Sequence, residues 1–433
     1  MTAPTTQTDL GEIPRIAPDP SLDGSGALLA DLGATTTNQI LALNHWAVHE
    51  SRPVQCMYRP GRSLVVRNTT WATRDDLVRP FSVISEIKRE SLRSTPAFEG
   101  TETLPVPVMD VGRRRRTWVF PFDPYLPGLS RALSIEGARA IAETVVGYPC
   151  SVRSSVVVYR PTKRAVVRYL VRPRGRARGE SQVLYLKVVR PDDGARAADS
   201  AEALAGLDHR FVLPVSALEP GILIFREVAG SNLRDLLLDR RSTPKLPSLD
   251  AIWNVAETLA DLEPSAHKRG ATPLQRLESA RRVLHSTVPH LTHRLDTLEH
   301  RIRHRSEGTA ETLSVTHGDL HEGQFLIDDS GGISGVLDLD DVGVGDLAMD
   351  AANMAAHLLV LTESWPWATV RLEAYRDSWI DSIGKEERIA SSDLRAREAI
   401  ALLQLATGPF RVLDAAWPAR TEARVALAER VMG

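Results

Sequence analysis

The spacing of apolar residues changes character three times along this chain. Residues 1–26, rich in Thr, Pro, Asp and Gly, carry no apolar period and read as a disordered tail. The following stretch, GALLADLGATTTNQILALNHWAVHE, has helical spacing. The period then shortens towards two, and VQCMYRPGRSLVVR and the later RTWVFPF read as strands. A second strand-rich block opens near Ser155 with SVVVYRPTKRAVVRYLV, a basic hairpin tip RPRGRARGE, and SQVLYLKVVRP. DDGARAADSAEALAGL predicts a helix, and GILIFREVAGSNLRDLLL a strand leading through a glycine into a helix. Beyond about residue 245 the pattern is helical, apart from strand-like pieces at about 313–340.

These shifts divide the chain into a tail (1–26), a β-rich N-terminal cap domain (27–150), a small lobe (151–230) and a helical lobe (231–433). One repeat crosses the division. MYRPGRSLVVR at 57–67 aligns with VYRPTKRAVVR at 158–168, with six of eleven positions identical. The repeat reads either as two hairpins of convergent composition or as a duplicated small β lobe. In the second case the first copy is degenerate, because TWVFPF places Phe120 where LYLKVV places Lys187.

Composition narrows the class. With 433 residues, 43% hydrophobic and 25% charged, the chain fits a globular protein of two or three domains. A net charge of −2 points to neither nucleic acid nor a membrane surface. Two cysteines without metal-ligand spacing argue against a disulfide framework. No apolar run approaches the roughly 20 residues of a spanning helix, and MTAPTTQTDL lacks the regions of a signal peptide, so the expected location is cytoplasmic.

The even total conceals an asymmetry: residues 1–230 sum to +6 and residues 231–433 to −8. Between Ser306 and Val370 there are twelve carboxylates and no Lys or Arg, interleaved with apolar residues and glycines. Carboxylates crowded without a counter-charge repel one another. A hard divalent cation, Mg, is the economical partner.

Within that run stands HGDLHEGQFLID, followed by GVLDLDD. The segment resembles the catalytic region of the aminoglycoside phosphotransferase family. The family's His-Gly-Asp falls on His317, Gly318 and Asp319, its His-x-x-Asn on His321 to Gln324, and its strand-ending Asp on Asp338. Its later Gly-Asp-Pro and Asp-Leu-Ala elements are similar to Gly345-Asp346-Leu347 and Asp350-Ala351-Ala352. The resemblance covers about 151–433 and implies an α+β, bilobal protein-kinase-like fold, here with an extra N-terminal cap domain. Asp319 would be the catalytic carboxylate that orients the acceptor hydroxyl. Gln324, Asp338 and Asp340 would hold Mg, Asp340 sharing a face with Asp338 in extended backbone. Gln324 departs from the family's Asn, although maltokinase-like and glucosamine-kinase-like members are similar in having Gln there. His317, His321, Asp346 and Asp350 read as braces of the loop.

A nucleotide site also needs a phosphate cation and a hinge. Lys187, alternating with apolar neighbours, is the expected phosphate lysine, with Glu202 as its helix partner and Asp199 and Glu219 as alternatives. FREVAG predicts a hinge whose backbone at Glu227 and Val228 meets adenine. The turn RPTKR, through Thr162 and Lys163, would cover the phosphates; no Walker-type loop or dinucleotide fingerprint occurs. The implied activity is Mg- and ATP-dependent (or another NTP) phosphorylation of a hydroxyl on a small molecule such as a sugar or aminoglycoside. Two alternatives stay open, a kinase acting on Ser or Thr of a biosynthetic peptide and a nucleotide-binding pseudokinase. Neither nucleic acid nor membrane is an expected partner. Trp365, Trp367 and Trp379 read either as core or as a stacking platform for a sugar ring.

Overall fold

The computed structural model describes residues 19–22, 34–92, 98–175, 179–219, 221–240, 244–307, 313–386, 389 and 394–433. Most of the expected tail, and residues 176–178 of the basic tip, lie outside the described residues. The chain divides into two compact units. One comprises Met1–Phe120 with Ser279–Asp296 and Ala406–Ala426; the other comprises Pro121–Glu278 with Thr297–Leu405 and Leu427–Gly433.

The first unit is built on five antiparallel strands: β1 (Ala47–Arg59), β2 (Ser63–Arg74), β3 (Leu77–Lys88), β4 (Val108–Val111) and β5 (Arg115–Val119), in the order β1-β2-β3-β5-β4. Alternation sends Leu64 and Val66 to one face and Ile84 and Trp118 to the other, and all four are buried. Among the described residues the helical pattern before it yields a helix over Ala34–Leu43, and the part of the pattern before Ala34 lies outside them. His45 takes a left-handed φ of 60°, which ends the helix, and the pattern from Ala47 onward enters β1.

The second unit opens with another five-stranded antiparallel sheet. It contains β6 (Cys150–Arg160), β7 (Arg164–Pro173), β8 (Gln182–Val189), β9 (Ser216–Glu219) and β10 (Ile222–Arg226), in the order β6-β7-β8-β10-β9. The helix Pro191–Leu204 follows β8, with Pro in its first turn and Asp192 and Asp193 at its positive end. Two small sheets carry the loops of interest. They are made of β11 (Ser231–Asn232), β12 (Leu313–Thr316), β13 (Phe325–Ile327), β14 (Ile333–Val336) and β15 (Gly343–Asp346), ordered β11-β13-β14 and β12-β15. Around them pack helices that include Leu249–Ala260, Leu347–Ser364 and Thr369–Ile383. Trp379 is fully buried there, meets Trp253 edge-on and donates to the Ala351 carbonyl, so this tryptophan is core. The fold is α+β: a sheet-based small lobe and a helical lobe, with a β-rich N-terminal region.

The sequence pattern assigns residues 121–150 to the cap, but they group with the second sheet, because their polar atoms are spent there. Tyr159 Oη and the Thr162 N–H both donate to Asp123 Oδ2, at 3.0 and 2.8 Å, and Tyr169 donates to the Ala132 carbonyl.

The two five-stranded sheets share more than strand order. In the first unit Tyr58 Oη and the Gly61 N–H donate to Asp19 Oδ2, at 2.8 and 2.7 Å, while the Ser21 N–H donates to Oδ1. Asp123 Oδ1 likewise accepts from the Tyr125 N–H. Both aspartates sit in an Asp-Pro-x-Leu turn, closed by a 3.0 Å bond from the leucine N–H to the aspartate carbonyl. Gly61 and Thr162, equivalent in the repeat, have φ of 69° and 65°. The register also corrects one expectation. Lys187 lies opposite Val166, and the repeat equates Val166 with Val65, which lies opposite Glu86. The counterpart of Lys187 is therefore Glu86 on β3, and Phe120 lies beyond the end of β5.

Candidate active site

The segment after β12 is held open by its neighbours' polar groups. Asp350, in the first turn of Leu347–Ser364 and almost fully buried, accepts the N–H of His317 at 2.7 Å and of Gly318 at 2.9 Å. Gly318 takes φ of 83°, and a Cβ there would come within 2.7 Å of the Asp341 carbonyl, so glycine is required. His317 Nε2 donates to the Leu337 carbonyl at 3.1 Å, which ties this loop to the one after β14. Asp346 caps the same helix through the Ala348 N–H and is paired with buried Arg397 at 2.8 Å. Both later acids are braces.

Asp319 stands at the exposed side of this scaffold, its side chain 47% accessible and its Oδ1 accepting from Asn353 Nδ2 at 3.3 Å. Desolvation by the surrounding loop, reinforced by Asp338 and Asp341, raises its pKa to about 6 against the opposing pull of His317 and the Asn353 bond. A carboxylate so tuned is ionised at neutral pH yet retains proton affinity, which is what a general base requires.

Beyond β14 the chain turns sharply. Asp338 has φ of 59°, and Leu339–Asp341 form one turn of 3-10 helix. The extended backbone assumed for Asp338 and Asp340 is thus replaced by a tight turn. That turn still brings both acids to one cation: Lys187 Nζ is 2.5 Å from Asp338 Oδ1 and also contacts Asp340 Oδ2. Arg164 Nη1 lies 3.1 Å from both Asp338 oxygens. Burial alone would raise the Asp338 pKa, but Lys187 and Arg164 outweigh it and hold the carboxyl well below the usual range. The acidic run therefore meets its counter-charges from outside itself, Lys187 and Arg164 here, Arg397 at Asp346 and Arg234 at Glu322. A count along the sequence could not register cations that lie 51 to 174 residues away.

The oxygen-rich turn fits a hard divalent ion. Asp338 and Asp340 present carboxylates on one turn, and the Leu337 N–H donates to the Gln324 carbonyl at 2.8 Å, which seats Gln324 beside them. The Gln324 amide nitrogen lies 3.1 Å from His321 Nε2. His321 Nδ1 accepts the Gly323 N–H, which leaves the proton of a neutral ring on Nε2, a donor suited to the amide's oxygen end. Burial, with His357 stacked 4.1 Å away, pushes the His321 pKa down to about 3 and keeps the ring neutral.

Other expected residues fall differently. Glu202 is exposed on the helix Pro191–Leu204 and is not the partner of Lys187; Ala197, Ala201 and Leu204 face the lysine's cavity instead. Their spacing puts them on one helical face, from which Glu202 is rotated by about 100°. Thr162 is buried, and its N–H is taken by Asp123. Lys163 is exposed, and Arg164 is the turn cation that reaches the acidic pair. Sequence reasoning missed Arg164; its place at the start of β7, on the same strand pair as Lys187, was the available signal. Glu227 and Val228 lie in the connector from β10 to β11, where the Glu227 N–H bonds the Val183 carbonyl and Tyr185 Oη lies 3.5 Å from Glu227 Oε1. Trp365 and Trp367 are partly exposed and edge-on to each other at 6.2 Å.

Residues 187–390, a little under half of the chain, match the profile of the Phosphotransferase enzyme family. That segment is a phosphotransferase domain. No curated protein is matched by sequence. Solved structures similar to this chain include aminoglycoside phosphotransferase APH(4)-Ia in a ternary complex with ADP and hygromycin B, at 15% identity and a TM-score of 0.48, covering 68% of this chain and 98% of that one. A choline/ethanolamine kinase family protein from Mesorhizobium loti is 17% identical with a TM-score of 0.45, covering 69% and 94%. Macrolide 2'-phosphotransferase type I is 18% identical with a TM-score of 0.41, covering 67% and 96%. The phosphotransferase domain begins at Lys187 and includes Asp319, Gln324, Asp338 and Asp340. No described helix is long and apolar enough to cross a membrane.

Proposed function

We propose that this protein is an Mg- and ATP-dependent kinase that phosphorylates a hydroxyl group of a small molecule. The observation that carries the reading is one linked pair of loops. Asp319, the candidate base, is joined through His317 to the backbone beside Asp338, and Lys187 of the small lobe reaches the same Asp338. Phosphoryl transfer asks for positioning and charge neutralisation more than for covalent help.

In this reading Lys187 binds the transferred phosphates, and Glu227 and Val228 lie where the adenine edge would meet the backbone. Asp319 orients the acceptor hydroxyl and takes its proton, with Asn353 fixing one carboxylate oxygen. Asp338 and Asp340, with the Gln324 amide, would hold Mg, which supplies electrostatic stabilisation of the phosphate oxygens. The acceptor side is the exposed face of Asp319, bordered by His357 on the helix Leu347–Ser364.

The test is ADP release by the full chain across a panel of sugars, aminoglycosides and Ser/Thr-containing peptides. Stimulation by a small molecule, abolished in Asp319→Asn, supports the proposal. Stimulation confined to peptides replaces it with the peptide-kinase reading. Nucleotide binding without turnover on any acceptor replaces it with the pseudokinase reading.

A further inference from the structure

Arg164 has no role in the site as assigned from sequence, yet its contact is among the longest in the second unit. It opens β7, directly after the turn expected to cover the phosphates. Its guanidinium sits symmetrically on Asp338, 3.1 Å from each oxygen, across 174 residues of chain. Its side chain is only 26% accessible, so the pairing is partly desolvated.

The charges explain why this contact bears on ligand binding. Lys187 bridges Asp338 and Asp340 while Arg164 shares Asp338, so two cations face two carboxylates and the cluster is neutral before any ligand arrives. A divalent ion entering alone would have to displace a cation or add its charge to a half-buried site. A metal-bound polyphosphate brings negative charge with it and gives both cations new partners. Space points the same way. The cavity beside Lys187, Asp338 and Asp340 measures about 40 Å³, whereas ligand pockets are roughly 300–1,000 Å³. These side chains must part when a nucleotide enters.

The repeat supplies an internal control. The position of Arg164 is Ser63 in the first unit, and the position of Lys187 is Glu86. The buried aspartate that shapes the hairpin turn is present in both units, as Asp19 and Asp123. A residue that merely braced the hairpin would be expected to persist with the turn. Arg164 is instead replaced together with the lysine.

We propose that Arg164 is a second phosphate-binding cation, which clamps Asp338 in the nucleotide-free protein and transfers to the polyphosphate when metal and nucleotide bind together. The inference rests on the nucleotide-site reading of Lys187 and Asp338 given above. It makes metal binding conditional on nucleotide.

Two titrations of the full chain test it, neither requiring turnover. One measures a non-hydrolysable ATP analogue in saturating Mg²⁺ by calorimetry; the other measures Mn²⁺ alone by loss of its free paramagnetic resonance signal. Arg164→Met should weaken the analogue about tenfold or more, the worth of one charge-assisted hydrogen bond. It should strengthen Mn²⁺ binding without nucleotide by about the same factor, because one clamp on Asp338 is gone. Arg164→Lys, a point charge without the fork, should fall between wild type and Arg164→Met in both titrations, and it carries the test if the Met variant loses its cooperative thermal transition. Either affinity staying at its wild-type value in Arg164→Met, or in Arg164→Lys where that variant carries the test, overturns the proposal. Wild-type protein that binds no analogue, with or without metal, overturns the nucleotide-site reading beneath it.

Discussion

Replacing Asp319 with Asn separates what this carboxylate does for chemistry from what it costs the fold. Its pKa is raised from 3.8 to about 6, chiefly by desolvation and then by Asp338 and Asp341. A carboxyl whose folded pKa is raised stabilises the protein below its unfolded pKa. That contribution is lost as pH climbs through the folded value, so above about pH 6 the ionised Asp319 is a net burden. At 1.36 kcal/mol per pH unit the ceiling is about 3 kcal/mol. Because the side chain is 47% accessible, solvent screening reduces this to roughly 1 kcal/mol. Asn keeps an oxygen for the Asn353 amide and carries no charge. Asp319→Asn should therefore lower turnover by about 10²–10⁴. It should also raise the melting temperature by about 2 °C at pH 8 while leaving it unchanged near pH 4. Calorimetric melting at the two pH values, beside ADP release at pH 8, reads both arms. Wild-type kcat/KM should rise with pH through about 6. Turnover within a few-fold of wild type would move the base elsewhere, and an equal temperature shift at both pH values would refute the electrostatic account.

Lys187→Ala should raise the KM for ATP steeply, with no rescue from the first unit, and calorimetry on the full chain should find one nucleotide per chain; a stoichiometry of two would overturn the reading of the first unit as a copy without a nucleotide site. Gln324→Asn draws the amide back by about 1.5 Å, one carbon–carbon bond, from its His321 contact. It should retain activity with equal or tighter Mg binding, and a folded but inactive variant would show a site rebuilt around the longer side chain. Asp350→Ala leaves the buried N–H groups of His317 and Gly318 unpaired and should cost about 2–4 kcal/mol in denaturant unfolding, so a loss under 1 kcal/mol would remove its bracing role.

Much of the fold was legible because strand alternation and helical period are local properties. The hairpins at 54–67 and 155–171 and the helix from Pro191 follow from spacing alone. What spacing could not convey was where a period stops. The helical pattern ahead of β1 runs on to Glu50, while a left-handed residue at His45 halts the helix. The helices Gly128–Leu133 and Ile135–Val146 and the attachment of residues 121–150 to the second sheet were similarly invisible, because Asp123 and Ala132 act through individual hydrogen bonds to β6, β7 and their turn. Within the site, residues sharing one loop could be read together, and His317, Asp319, Asp346 and Asp350 carry order and spacing that imply each other. Partners drawn from different elements could not. Glu202 is the acid that the next helix offers the lysine, whereas the acids that meet Lys187 lie on a turn about 150 residues later.

The comparison of the two sheets shows which features of a small lobe follow from folding and which from chemistry. The Asp-Pro-x-Leu turn, the buried aspartate, the tyrosine that reaches it and the positive-φ hairpin residue occur in both units with the same atoms bonded. They satisfy backbone groups in a tight turn, a demand that any hairpin of this shape imposes. The cations differ. Glu86 is buried opposite Arg116, within 3.4 Å of Lys88, and Arg116 pairs with Asp110 at 2.5 Å. The site that holds a lysine against acids in the second unit thus holds an acid against basic residues in the first. A phosphate at the lysine's position would there meet a carboxylate. Restoring the sign by Glu86→Lys would set three basic groups against one another around Asp110 and should destabilise the unit by about 3 kcal/mol or more, without creating a nucleotide site. Denaturant unfolding and nucleotide titration of that variant measure the two effects separately. A stable variant that gained a second bound nucleotide would mean that only one charge separates this lobe from a working site.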